Sequence, residues 1–121
     1  IVTFFIADDS VNIASRSMIG VFMLLDLAGL REVDVNKLII FMTVYREASV
    51  SNAACILGVT QPAISNALSD MRICFCDQLF VRRYGGMQPT TKADSIAESL
   101  LPILTSLSAL VGQFTPGKYR H

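Results

Sequence analysis

The sequence predicts a mainly α chain: short helices joined by a tight turn, then a small β-hairpin, then one long helix. Three observations carry this. Apolar residues recur at helical spacing between Leu38 and Met71, broken where Gly58 stands. Gly85 and Gly86 separate two short runs, "DQLFVRR" and "MQPT", that read as strands. From Ala93 to Phe114 the apolar positions fall 4, 3, 4, 3, 4 and 3 residues apart. A chain of 121 residues is about one domain, able to bury roughly two-thirds of the surface its unfolded form exposes.

Residues 1–33 hold two apolar runs, "IVTFFIA" and "MIGVFMLLDLAGL". The second is shorter than the ~20 residues of a membrane span and contains Asp26, and no basic leader precedes the first. The expectation is a short extended segment followed by a helix that packs on the body or on a partner, with no membrane anchor. The first helix of the body starts at Asp34, a good N-cap, and turns Leu38, Phe41, Val44 or Tyr45, and Ala48 inward. Ser49 or Ser51 caps the next helix, Ala53, Ala54 and Leu57 give its apolar side, and Gly58 ends it.

The run "GVTQPAISNAL" poses a question, because proline lies inside a helical pattern. Thr60 as N-cap answers it. Pro62 then falls in the first turn, where its missing N–H has no intrahelical partner to lose. Ile64, Ala67, Leu68 and Met71 form the inner stripe, and Gln61, Ser65, Asn66 and Ser69 face outward. An uncharged, hydrogen-bonding helix face suits the major groove of DNA, where Gln and Asn pair with adenine edges and Ser bonds bases or phosphate. It also suits plain solvation. The spacing of Ala54, Gly58 and Ile64 favours the first use: a small residue at a helix contact, glycine at a turn and a branched residue in the core are what a helix-turn-helix needs.

The long helix from near Thr90 to Gln113 would measure about 36 Å at ~1.5 Å per residue. Pro102 should bend it. Its seam of Ala93, Ala97, Leu100, Leu104, Leu107, Val111 and Phe114 is longer than a small domain needs, so pairing with a second copy through residues 93–114 is expected; packing on residues 18–30 of the same chain is the alternative.

The run "SVSNAACILGVTQPAISNALSDMRICFCDQLFVRRYGGMQPTTKA" resembles the DNA-binding domain of the LysR-type transcriptional regulators, matching their small-Ala-Ala, Leu-Gly, Gln-Pro-Ala-x-Ser, Asp-x-Leu-Phe-x-Arg and Pro-Thr elements in order. "DVNKL" and the Ser65-Asn66 pair are most similar to the leucine-operon and nodulation activators, and the likeness covers residues 34 to 113. It implies a winged helix-turn-helix followed by a linker helix that pairs antiparallel with that of a second subunit. By position, Gln61, Pro62, Ser65 and Asn66 would face bases and nearby phosphates, Arg82 and Arg83 would serve the wing, and Thr91 or Lys92 would touch phosphate. Ser51, Thr60, Ser69 and Arg72 complete the candidate surface. Since Arg82 and Arg83 alternate sides on a strand, one is expected on DNA and the other over apolar surface. Where relatives carry basic residues this chain has Asn66, Ser69 and Asp70, so weaker non-specific binding is expected, with Asp70 turned away or paired to Arg72 or a neighbour. A full regulator of this type continues into an effector-binding domain near the point where "TPGKYRH" ends this chain, so no small-molecule effector is expected here.

The division expected is an extension at 1–33, a DNA-binding domain at 34–92, a linker helix at 93–114 and a tail at 115–121. Ten basic and ten acidic residues cancel, which excludes binding by bulk charge alone, though residues 34–93 hold six positives against four negatives. Cys55, Cys74 and Cys76 suit a reducing, cytoplasmic setting as small buried or half-buried thiols, and with His121 the sole histidine neither a metal nor a cofactor is expected. The chain has no phosphate loop and no nucleophile beside a base, so it is not an enzyme. It reads as a dimeric, sequence-specific regulator on double-stranded DNA, or as a truncated protein that pairs with full-length relatives through the long helix.

Overall fold

The computed structural model describes Gly20 and residues 25–116. The chain forms two units, Ile1–Val33 and Asp34–His121. In the first, Asp26 accepts the Gly29 N–H at 2.9 Å and starts a short helix, α1 (Leu27–Arg31), none of whose residues is buried. The extended segment expected before it lies outside the described residues.

The second unit contains α2 (Val35–Glu47), α3 (Val50–Leu57), α4 (Gln61–Phe75), β1 (Phe80–Arg83), β2 (Gly86–Pro89) and α5 (Thr91–Phe114). Each helix starts where a side-chain oxygen can satisfy an amide of the first turn. Asp34 accepts from Asn36, Ser49 from Asn52, Thr60 from Ala63 and Thr90 from Ala93. Ser49, and not Ser51, is therefore the cap of α3. Gly58, at φ 68, ends α3 by turning its N–H back to the Ala54 and Cys55 carbonyls. Pro62 lies in the first turn of α4, as its missing donor requires.

The core gathers Phe41 and Val44 from α2, Ala53 and Ala54 from α3, Ile64, Leu68 and Met71 from α4, and Leu79, Phe80 and Met87 from the hairpin segment. Phe41 is its hub, its ring 5.3 Å from that of Phe80 and 6.2 Å from that of Tyr45. Ala48, expected on the inner stripe of α2, is instead its exposed C-cap at φ 53. The reason is its carbonyl, which accepts the Met87 N–H at 2.9 Å and docks the hairpin on the end of α2. The three cysteines are exposed, against the expectation of burial. Ala53, Ala54 and Met71 already fill the inner faces beside them, and Cys76 is the left-handed C-cap of α4.

Strands β1 and β2 pair antiparallel with Phe80 opposite Pro89 and Arg83 opposite Gly86. Tyr84 and Gly85 both have positive φ, 52 and 77, a two-residue turn whose twist matches the strands it joins. A Cβ on Gly86 would lie 2.9 Å from the Ala48 carbonyl oxygen, a backbone atom with little room to yield. Gly86→Ala should therefore cost about 1–3 kcal/mol, read as a lower urea midpoint at unchanged slope. An unmoved midpoint would show that the hairpin rides freely on α2.

Helix α5 runs for 24 residues with Pro102 inside it. Its seam divides. Ala93, Ala97 and Leu100 are buried in their own unit, so they are not available to a second subunit as the heptad spacing suggested. Leu104 is half-buried against the same core, while Leu107, Val111 and Phe114 are exposed together with Leu101, Ile103 and Leu110. By length and composition α5 is also, among the described residues, the one helix apolar enough to cross a membrane.

Candidate nucleic-acid interface

From Gln61 to Met71 helix α4 separates two chemistries. Ile64, Ala67, Leu68 and Met71 are buried, and Gln61, Pro62, Ser65, Asn66 and Ser69 are exposed. The buried stripe fixes the rotation of the helix, and that rotation places the amide and hydroxyl side chains on one outward face. Thr60, also exposed, uses its Oγ1 to cap the helix, and Ser51 is exposed on α3.

The charged groups beside this face are mostly engaged. Asp70 pairs with Lys37 at 2.9 Å, not with Arg72. The hydrogen bond that the Lys37 ammonium donates to Asp70 holds its pKa above the usual range, with desolvation opposing and the Asp70 charge adding. An exposed pair of this kind adds little stability; what it does is neutralise the one carboxylate on the outer side of α4. Arg72 donates its Nε to the Gln78 carbonyl at 2.8 Å, and Lys92 donates its Nζ to the Phe75 carbonyl at 2.6 Å, where the negative end of the α4 dipole favours a cation. Thr91 is exposed in the first turn of α5. Arg82 and Arg83 are both exposed on β1, of which only the first residue, Phe80, is buried.

A polar latch holds the hairpin and α5 to the end of α4. Asp77 Oδ2 accepts the Thr90 hydroxyl at 2.6 Å and the Leu79 N–H at 2.9 Å, and the Thr90 N–H donates to the Leu79 carbonyl at 2.9 Å. Between them Leu79 is fully buried at φ 64, a left-handed conformation that an apolar side chain adopts only when its surroundings dictate it. The sequence shows Asp77 and Thr90 only as letters of the Asp-x-Leu-Phe and Pro-Thr elements; their meeting across 13 residues is visible only in the fold. The Thr90 hydroxyl and the Leu79 amide, aided by the Lys92 charge against a desolvation cost, hold the Asp77 carboxyl below its usual range. Its stabilising effect is therefore complete above the unfolded carboxylate pKa and is lost as pH falls through the lower folded one. Asp77→Asn should melt lower than the wild type at neutral pH, and the gap should close on acidification. Equal melting at neutral pH would show that the latch adds nothing.

Residues 35–94 match the family model described as "Bacterial regulatory helix-turn-helix protein, lysR family". HTH-type transcriptional regulator LeuO of Escherichia coli (strain K12) is 47% identical over 64 residues, 53% of this chain; the chain thus spans 20% of that relative's length. The crystal structure of probable transcriptional regulator PA0477 from Pseudomonas aeruginosa superposes with a TM-score of 0.67 at 35% identity, covering 74% of this chain and 31% of that one. A BenM_DBD/catB site 1 DNA complex shares the fold, with a TM-score of 0.64 at 20% identity, over 74% of this chain and 100% of that one. Through residues 35–94 the chain belongs to the lysR family of bacterial regulatory helix-turn-helix proteins.

Proposed function

We propose that the chain is a sequence-specific transcriptional regulator that binds double-stranded DNA as a dimer, with α4 in the major groove. The observation that carries this is the outer face of α4, where Gln61, Ser65, Asn66 and Ser69 stand exposed and uncharged on a helix whose rotation is fixed by a buried stripe. Such a face reads base edges by hydrogen bonding. Thr60 and Pro62 lie at the positive end of α4, which favours phosphate, and Ser51 stands exposed on α3 as a further candidate. Arg82 and Arg83 serve the wing and Thr91 the backbone, while Arg72 and Lys92 keep donors to spare beyond those they give to carbonyls. In this reading residues 34–92 bind DNA, residues 93–114 carry the pairing helix and residues 1–33 and 115–121 flank them. The protein would work in the cytoplasm, at the nucleoid.

The exposed half of α5 fits pairing with a second copy better than a membrane. Its first turns are fixed in the domain by Ala93, Ala97 and Leu100 and by the Tyr45 hydroxyl, which donates to Asp94 at 2.7 Å. That leaves the 14 residues from Leu101 to Phe114, short of the ~20 a span requires. The test is fluorescence-anisotropy titration with duplex from around the protein's own gene, beside a scrambled duplex, as salt rises. A specific complex that outlasts the scrambled one is expected. Equal, weak binding to both would leave α5 as the functional surface and favour a protein that pairs with longer relatives.

A further inference from the structure

We propose that Tyr84, at the tip of the hairpin, is a DNA-contacting residue that lies against the sugar–phosphate wall beside the groove α4 enters. The inference rests on the DNA-binding function proposed above. It starts from a conflict with local physics. Tyr84 occupies the first position of a turn that requires positive φ, where Asn or Gly sits without strain and a bulky residue does not. Asn followed by Gly85 would make the most favourable two-residue hairpin turn. Tyrosine is there instead, and it is 98% exposed, so it stabilises no core in exchange. Strain without a folding return is what a binding surface leaves in an unbound protein.

The surrounding charges point to the same ligand. Within the second unit the cations are accounted for one by one: Lys37 is paired with Asp70, Arg46 with Glu47, Arg72 is bonded to Gln78 and Lys92 to Phe75. Among the described cations of this unit, the side chains of Arg82 and Arg83 alone make neither a hydrogen bond nor an ion pair, and the two residues immediately precede Tyr84. A polyanion therefore meets its strongest unsatisfied attraction at the hairpin and not on α4. Tyrosine suits that place, since its ring packs on the apolar faces of deoxyribose and its hydroxyl reaches phosphate.

The test uses the 121-residue chain and a mixed-sequence duplex as probe. Tyr84→Asn should raise the melting temperature, because it relieves the turn, and should weaken binding about tenfold, the scale of one lost contact, at unchanged salt slope. Arg82→Ala with Arg83→Ala should instead flatten the salt slope by about two. Tyr84→Gly serves as a second unstrained replacement. The proposal is overturned if both Tyr84 variants bind as tightly as the wild type, or if both melt lower, which would make the residue structural. A wild type that binds no duplex at any salt would refute the DNA reading itself, a result seen without any variant.

Discussion

Val111→Glu is expected to leave the chain monomeric in sedimentation equilibrium while its helical signal at high concentration changes little. Val111 is 46% exposed on the half of α5 that lies beyond the core, so a carboxylate there meets water in a lone protomer but apolar surface in a pair. Leu104 is the poorer probe, because it packs partly against its own core and its replacement would confuse folding with pairing. Loss of pairing should carry a second signature. Two linked recognition helices bind a two-fold site with an advantage of about 10²–10⁴ over one, so specific affinity should fall by that scale even though Val111 stands on a different helix from the face that reads bases. An unchanged mass together with unchanged affinity would mean that the exposed stripe has another use.

Gln61→Ala combined with Asn66→Ala should abolish discrimination between the specific and scrambled duplexes while leaving the scrambled affinity and the salt slope as they were. Both side chains are exposed and uncharged, so neither neutralises a phosphate. Each bidentate amide–adenine contact is worth about 1–3 kcal/mol of discrimination, and a paired protein makes each contact twice. Retained discrimination would show that sequence is read through DNA shape or through the wing. A reduced salt slope would show that the helix face acts mainly by orienting cations elsewhere.

Much of the fold was legible because its signals are local. Asp34, Thr60 and Gly58 act within three or four residues of their own position, and the four buried residues of α4 repeat at a spacing that only one helix face can hold. The readings that needed correction depend on partners distant in the chain. Ala48 continues the apolar period of α2, yet hairpin docking takes it out of the helix. Ala93, Ala97 and Leu100 are indistinguishable by spacing from Leu107 and Val111, and only tertiary packing shows which half of the seam the domain keeps for itself. The candidate site follows the same division. The outer face of α4 can be read directly, whereas the pairing of Asp70 with Lys37 and the latch at Asp77 arise between segments that periodicity does not connect.

Pro102 stands just after Leu100, the last buried residue of α5, and without an N–H it cannot close the backbone bond to the carbonyl of Glu98. The helix is thereby one element with two opening modes. Amides from Asp94 to Leu101 should exchange with solvent only when the domain comes apart, whereas those from Ile103 to Phe114 belong to a segment of about a dozen residues, too short to hold its coil-to-helix balance alone in water. A partner would supply what that segment lacks, so ordering of the C-terminal half and assembly become a single equilibrium whose position moves with protein concentration. In a cell, abundance itself would then decide how many molecules carry a finished helix.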